Sequence, residues 1–142
     1  MQLIGFNFKK ISCTKEKNFL VSDINTDIQF KDFEKEEVEL LKDQEAMKVT
    51  FSYKISYNEK DKKETQLGEI IFEGMIIIAS KPEEIKEILK SWKKKQISQT
   101  FQVPFFNLIM KKCLPKAIFL ADEMSMPSPI ALPQIQLKKK ES

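Results

Sequence analysis

The stretch that decides the fold is MKVTFSYKISYNEKDKKETQLGEIIFEGMIII, residues 47–78. From Met47 to Tyr57 apolar or aromatic residues alternate with polar ones, which predicts a strand with one buried face. After a charged turn, residues 67–78 pass into an unbroken apolar run, which is typical of a strand covered on both faces. These two strands carry more apolar surface than the helices of one small domain can cover. We therefore expect a second layer, supplied by another copy of the chain or by another polypeptide.

Two further strands precede this stretch. Residues 2–14 place Ile4, Phe6 and Phe8 on one face, and residues 18–33 contain a strand whose apolar residues alternate with polar ones. A hydrophilic turn at residues 58–63 joins the third strand to the fourth, so the sheet is predicted to be antiparallel. Residues 33–44, FEKEEVELLKDQ, are predicted to form a crossover segment or a single helical turn around Val38 and Leu41.

Helical signals follow the strands. Ser80 and Glu83 have the spacing of a capping box, Pro82 falls in the first turn, and an apolar stripe predicts a helix of about four turns. A second helix is predicted from near Pro104 toward Met124, with a kink near Lys111 because Pro115 lies inside it. The fold class is therefore α+β, with a four-stranded antiparallel sheet followed by two C-terminal helices.

The C-terminal segment differs from the rest of the chain in its closely spaced prolines. Pro127, Pro129 and Pro133 exclude a helix, so this tail is predicted to run extended across a surface, held by three apolar residues, Ile130, Leu132 and Ile135. Residues 138–142 are predicted to be a charged tail, and residues 1–137 a single domain.

Composition limits the possible functions. The 142 residues include 24 basic and 21 acidic side chains and no histidine, so nucleic acid is not expected as the main partner. Cys13 and Cys113 are predicted to be buried free thiols, and no metal or cofactor is expected. Neither a signal segment nor a membrane span is evident, which favours a cytoplasmic protein. Catalysis by carboxylates such as Asp122 and Glu123 is the weakest hypothesis, since nothing predicts their burial.

Binding is the stronger hypothesis, because apolar residues recur outside the two central strands. Any one of them is best explained as a core residue, but together they exceed what one core of this size needs, which favours an interface or a groove. These residues form one cluster on the second strand and one at the start of the second helix: Ile24, Ile28, Phe30, Phe101, Val103, Phe105 and Phe106.

Four segments in this order resemble the SecB export-chaperone family from about Gln2 to Leu137. They are FNFKKISCT, MKVTFSYKISY, LGEIIFEGMIII, and the helix with Cys113 that is followed by MPSPIALPQI. The resemblance implies a SecB-like fold and a homotetramer built from two dimers. It also implies an ATP-independent holdase that binds unfolded or pre-secretory polypeptides in hydrophobic grooves during protein export.

The resemblance also implies roles for individual residues. Ile24 and Ile28 match groove-lining positions and Leu108 and Ile109 match the groove wall. With two aromatic residues of the apolar clusters, the candidate client-binding set is Ile24, Ile28, Phe30, Phe105, Leu108 and Ile109. Gly68, Ile70 and Phe72 match positions that govern dimer pairing. Leu67 and Glu69 match positions that dock on the SecA motor, but the remaining docking positions, acidic in the family, are Lys10 and Thr14 here. Docking on SecA is therefore not favoured.

Two functions of different classes follow. One is a holdase for unfolded polypeptides. The other is an oligomeric adaptor or scaffold that binds a single dedicated partner, such as an antitoxin, without general chaperone activity. Suppression of aggregation of a denatured test protein would distinguish them.

Overall fold

The computed structural model describes residues 1–39 and 43–137. It contains four strands and two helices in chain order, which are β1 (Gln2–Lys15), β2 (Asp23–Glu36), β3 (Glu45–Glu59), β4 (Lys62–Ser80), α1 (Pro82–Lys93) and α2 (Gln99–Glu123). The strands form one antiparallel sheet in the order β1-β4-β3-β2. The predicted fold class is confirmed. The charged tail predicted at residues 138–142 lies outside the described residues.

The two central strands have one face packed under the helices, which we call the helix-side face. On β3 the buried residues are every second one from Met47 to Tyr57, as the alternation predicts. On β4 the buried positions run from Gly68 to Ile78 in the same period. The opposite face of β4 carries Ile71 and Ile77, both half-buried. Within the described residues no further layer covers that outer face, so the apolar run of β4 keeps an uncovered side.

Two register shifts interrupt the pairing of the edge strand β1 with β4. Its pairing with β4 shifts between Phe8 and Lys10, so that Ile11, opposite Phe72, lies on the same face as Phe8. A second shift between Leu3 and Gly5 removes Ile4 from the predicted face, and its side chain is 43% exposed. The prediction that Ile4 shares a face with Phe6 and Phe8 is therefore wrong, because a bulge breaks the simple alternation.

The edge strand β2 is longer than the sequence predicts. Residues 33–36 continue the strand, and a register shift between Phe30 and Asp32 turns Phe33 into the core, where it is 4% exposed. Its ring centroid lies 5.0 Å from that of Trp92 on α1. The predicted helical turn is wrong for residues 33–36, because pairing with β3 and burial of Phe33 outweigh local helix preference. Val38 is also not helical, and Leu41 lies outside the described residues.

Helix α1 begins differently from the prediction. The N-cap residue is Lys81, and no side chain caps the helix, so the predicted capping box of Ser80 and Glu83 is wrong. Ser80 is buried instead, and its hydroxyl donates to the carboxylate of Glu84. Pro82 lies in the first turn as predicted. The helix has 12 residues, about three turns, and its Ile85 and Ile88 are fully buried.

Helix α2 begins earlier than predicted, at Gln99, and it contains both Pro104 and Pro115. Its buried residues recur at every fourth position: Phe105, Ile109, Cys113, Ala117 and Ala121. The predicted kink near Lys111 stays a prediction. No helix in the described part of the chain is both long enough and apolar enough to span a membrane. Residues 1–39 and 43–137 contain no group of three or more histidine, cysteine or carboxylate side chains that could hold a metal ion.

Both cysteines are free thiols, as predicted, and Cys113 is fully buried on the core-facing side of α2. The predicted burial of Cys13 is wrong, because on the edge strand β1 this side chain is only half-buried. Burial raises the pKa of the Cys113 thiol from an ordinary value of 9.0 to about 12, although Lys116 opposes the shift. Burial likewise raises the pKa of Tyr57 from 10.0 to about 12. Since the neutral forms are the ones that fit the core, folding favours protonation of both groups.

We expect this burial to cause alkaline destabilisation. The folded-state pKa of Cys113 is raised, so its contribution is fully present below pH 9 and is lost as the pH rises toward 12. Each pH unit between 9 and 12 costs about 1.4 kcal/mol in the free energy of unfolding, so the loss at pH 11 is on the order of 3 kcal/mol. Urea titrations between pH 7 and pH 11 should show that the free energy of unfolding declines less steeply with pH for Cys113→Ala than for the wild type. Cys13→Ala, at a half-buried thiol, should keep most of the wild-type slope.

Candidate functional site

Two partly exposed apolar surfaces lie on the helix side of the sheet. The first, which we call the β2 surface, consists of Ile24, Ile28 and Phe30 on β2 with Phe106 on α2. All four side chains are half-buried and pack against the core. The Phe30 ring stacks on that of Phe106 with centroids 4.9 Å apart. Because this contact joins the strand to the helix, it fixes one end of the β2 surface.

The position of β2 at the edge of the sheet defines the rest of this surface. Ile24 lies opposite Tyr57 and Ile28 opposite Tyr53, both core residues of β3. Thr26, between the two isoleucines on the same face, is exposed. Within the described residues β2 pairs only with β3, so its other edge presents backbone donors and acceptors without a neighbouring strand. The β2 surface therefore combines an open strand edge with an apolar row.

The structure divides the predicted client-binding set into two groups. Ile24, Ile28, Phe30 and Leu108 are half-buried and reachable from solvent. Phe105 and Ile109 are 3% and 0% exposed, because the four-residue repeat of α2 turns them into the core. These two residues offer no surface to a partner in this conformation.

The residues matched to dimer pairing lie inside the protomer. Ile70 and Phe72 are on the helix-side face of β4 with no exposed surface. Gly68 is also buried, and a Cβ atom there would lie 2.9 Å from the Met126 sulfur and 2.9 Å from the Thr14 carbonyl oxygen. The lack of a side chain at Gly68 therefore leaves room for Met126. A role of these three positions in self-association stays a prediction.

The two residues matched to SecA docking differ in how far they are buried. Leu67 is 3% exposed, whereas Glu69 lies on the outer face and pairs with Lys54 at 3.2 Å. Burial favours protonation of Glu69, but hydrogen bonds with Gln66 and Lys54 outweigh it and lower the pKa of this carboxyl. In the register of β1 with β4, Thr14 lies opposite Glu69 and Lys10 opposite Glu73. The outer face is thus of mixed charge.

Sequence reasoning did not find the second surface, which we call the α2 hollow. It is a cavity of about 390 Å³, and its lining residues are Ile11, Pro115, Lys116, Phe119 and Leu120. Phe119 is 62% exposed and Ile11 is 45% exposed. A signal was available, because Phe119 falls between Ala117 and Ala121 in the repeat that marks the buried side of α2.

An adjoining cavity of about 530 Å³ connects the α2 hollow to the tail. It shares Pro115 and Phe119 with the hollow, and its other lining residues are Ile118, Asp122, Met126, Ser128 and Leu132. The last three lie beyond α2, so the tail forms one wall of this cavity.

The tail is held by residues other than those predicted. Met126 is 6% exposed, and the Tyr57 hydroxyl donates a hydrogen bond of 2.7 Å to the Pro127 carbonyl oxygen. By contrast, Ile130, Leu132 and Ile135 are 41%, 51% and 104% exposed, so the prediction that they anchor the tail is wrong. Proline excludes a helix here as expected, but the anchor lies at the beginning of the segment.

Comparisons with known proteins give a structural match but no match in sequence. No protein-family model matches the chain, and no curated protein matches its sequence. Among solved structures the chain is similar to the SecB-like chaperone Rv1957 of Mycobacterium tuberculosis, which was solved in complex with a ChAD peptide from the Rv1956 HigA1 antitoxin. The match has 10% sequence identity and a TM-score of 0.49, and it covers 96% of this chain and 91% of that one.

Proposed function

We propose that this protein is an ATP-independent, SecB-like chaperone that holds unfolded polypeptides along the β2 surface. One observation carries the proposal. β2 is an edge strand of 14 residues whose Ile24, Ile28 and Phe30 stay partly exposed on the helix-side face. An open edge of this length is a site at which an extended polypeptide can add as a further strand.

Two physical terms would contribute to binding at this edge. Backbone hydrogen bonds between β2 and an added strand depend little on the sequence of the client, so they suit unfolded segments in general. Apolar side chains of the client would then cover the apolar row of β2, with a gain of about 25 cal/mol per Å² of apolar area buried. A folded protein has its strands paired and its apolar side chains internal, so it would not bind. This selectivity is what a holdase needs.

Charge on β2 is consistent with an edge that stays soluble while it is empty. The face opposite the apolar row carries acidic side chains, among them Asp23, Asp27 and Glu34. Asp27 lies opposite Lys54, and Glu34 pairs with Lys48 at 3.9 Å. Charged side chains on an edge strand disfavour pairing between folded copies. The apolar row on the helix-side face of β2 remains available to an unfolded partner.

The same geometry supports a dedicated adaptor for one partner, since a single extended segment would use the same edge. The two functions differ in selectivity. A general holdase would protect several unrelated denatured proteins, whereas a dedicated adaptor would bind one segment and leave the others to aggregate. Binding of several unrelated unfolded proteins by one preparation therefore decides between them.

We expect the double variant Ile24→Gln/Ile28→Gln to lose client binding. Both isoleucines are half-buried, so each substitution removes about 1 kcal/mol of apolar contact with the client. For the double variant this sums to about 2 kcal/mol, roughly a thirtyfold increase in the Kd for the client. Light scattering of a denatured test protein at near-stoichiometric chaperone would measure the loss, and fluorescence anisotropy of a labelled unfolded segment would give the Kd.

The matched control is Asn25→Ser/Gln29→Ser, which alters the same strand at exposed positions on its other face. It should bind clients as the wild type does. If both double variants suppress aggregation as well as the wild type, or if the wild type does not bind any unfolded polypeptide, the β2 surface is not a client site.

A further inference from the structure

The segment Pro129–Leu137, which we call the arm, exposes several apolar side chains to solvent. Ile135 and Leu137 are 104% and 99% exposed, and Ile130 and Leu132 are 41% and 51% exposed. No charged residue occurs between Pro129 and Leu137. Apolar grooves commonly recognise proline-bearing segments, and an uncharged segment is suited to such a site.

The α2 hollow has the complementary character. Its exposed side chains are chiefly apolar, Phe119 and Ile11 above all, and the one charged lining residue is Lys116, whose ammonium lies 5.5 Å from the centroid of the Phe8 ring. The adjoining cavity, which shares Pro115 and Phe119 with the hollow, already has Leu132 of the arm in its wall. The point at which the arm leaves the protomer is thus next to the groove that it would fill.

We propose that the arm of one copy binds in the α2 hollow of a second copy, and that the reciprocal contact joins two copies into a dimer by arm exchange. Within one protomer the arm does not cover its own hollow, because Phe119 and Ile135 both remain exposed. Pro129 and Ile130 form a bend, and Pro133 restricts the backbone of the arm beyond it, which lowers the entropy lost when the arm binds to a neighbour.

The dimensions and symmetry of the arm fit this arrangement. Beyond the bend at Pro129 and Ile130, residues 131–137 would span roughly 22 Å in an extended proline-type conformation, enough to cross two adjoining cavities. Each copy contributes one arm and accepts one, so the contact closes on itself about a two-fold axis and does not propagate into a filament. The anchor at Met126 and at the bond from Tyr57 to Pro127 fixes where each arm begins. This contact is separate from the β2 surface, so it does not depend on the proposed function.

Sedimentation equilibrium of the full chain tests the proposal. The arm variant is Ile135→Asn/Leu137→Asn, which alters fully exposed side chains and should not affect folding, and the hollow variant is Phe119→Ser. We expect a dimer for the wild type and at least a tenfold higher dissociation constant for each variant. The matched control, Gln134→Ser/Gln136→Ser, changes exposed polar residues of the same arm and should leave the dissociation constant unchanged.

Mixing the two variants gives a second readout. The hollow of the arm variant and the arm of the hollow variant are both intact, so native mass spectrometry should detect the mixed dimer more strongly than either variant's own dimer. A photo-crosslinker at position 135 should link copies of different isotopic mass. A monomeric wild type, a dimer that is insensitive to both variants, or crosslinks confined to single copies would each overturn arm exchange. Client binding at the β2 surface should be unchanged in the arm variant.

Discussion

We expect a Gly74→Ala variant to be destabilised by about 1–3 kcal/mol or more, although it adds only a methyl group. Gly74 lies in β4 between Phe8 of β1 and Phe51 of β3, in the middle of the sheet. A Cβ atom there would lie 2.5 Å from the Asn7 carbonyl oxygen and 3.0 Å from the Phe51 ring. A backbone oxygen cannot move aside as a flexible side chain can, so the strands themselves would have to shift.

The matched control is Gly5→Ala in the edge strand β1. Its nearest neighbours would be side-chain atoms of Ile77 at 3.9 Å, an ordinary van der Waals distance. Alanine restricts the unfolded chain more than glycine does, so where the native backbone accepts it the change stabilises by about 0.4–1 kcal/mol. Urea unfolding of both variants would give opposite signs. Equal stability of Gly74→Ala and the wild type would mean that the close packing of β1 on β4 is not as described.

The sheet was predictable because alternation is a local property of a half-buried strand. The period from Met47 to Tyr57 placed β3 and its buried face correctly. The prediction failed where contacts between residues distant in sequence determine the local structure. Phe33 extends β2 because its ring packs on Trp92, which is far away in sequence, and Ile4 leaves its face because of a register shift. Neither event has a signature in the residues around it.

Candidate site residues were less predictable than the fold, since function here depends on which apolar side chains remain exposed. Period alone identifies apolar residues on β2 and α2, but it does not reveal that Ile28 is half-buried while Ile109 is fully covered. The α2 hollow was not predicted, because the sequence pattern was used to find the buried positions of α2 and Phe119 is not one of them. Its place between two buried alanines shows that it points away from the core.

We expect the largest loss of stability from Phe72→Ala. The ring has no exposed surface, and its centroid lies 6.1 Å from that of Tyr53 and 5.8 Å from that of Phe8. Removing a buried phenylalanine costs about 3–5 kcal/mol, a large share of the 5–15 kcal/mol typical of a folded domain. Urea unfolding followed by circular dichroism would measure the lower midpoint.

The matched control is Phe119→Ala, the same substitution at a ring that is 62% exposed. It should lower the free energy of unfolding by less than about 1 kcal/mol, since an exposed ring has few core contacts to lose. Together the two variants also test the role that the SecB resemblance implies for position 72. If Phe72 served subunit pairing and not the core, its loss would weaken association while an isolated subunit kept its stability. The burial of Phe72 predicts the reverse: Phe72→Ala should lower the free energy of unfolding of the subunit at every protein concentration. Under the proposed arm exchange, Phe119→Ala should mainly weaken the dimer.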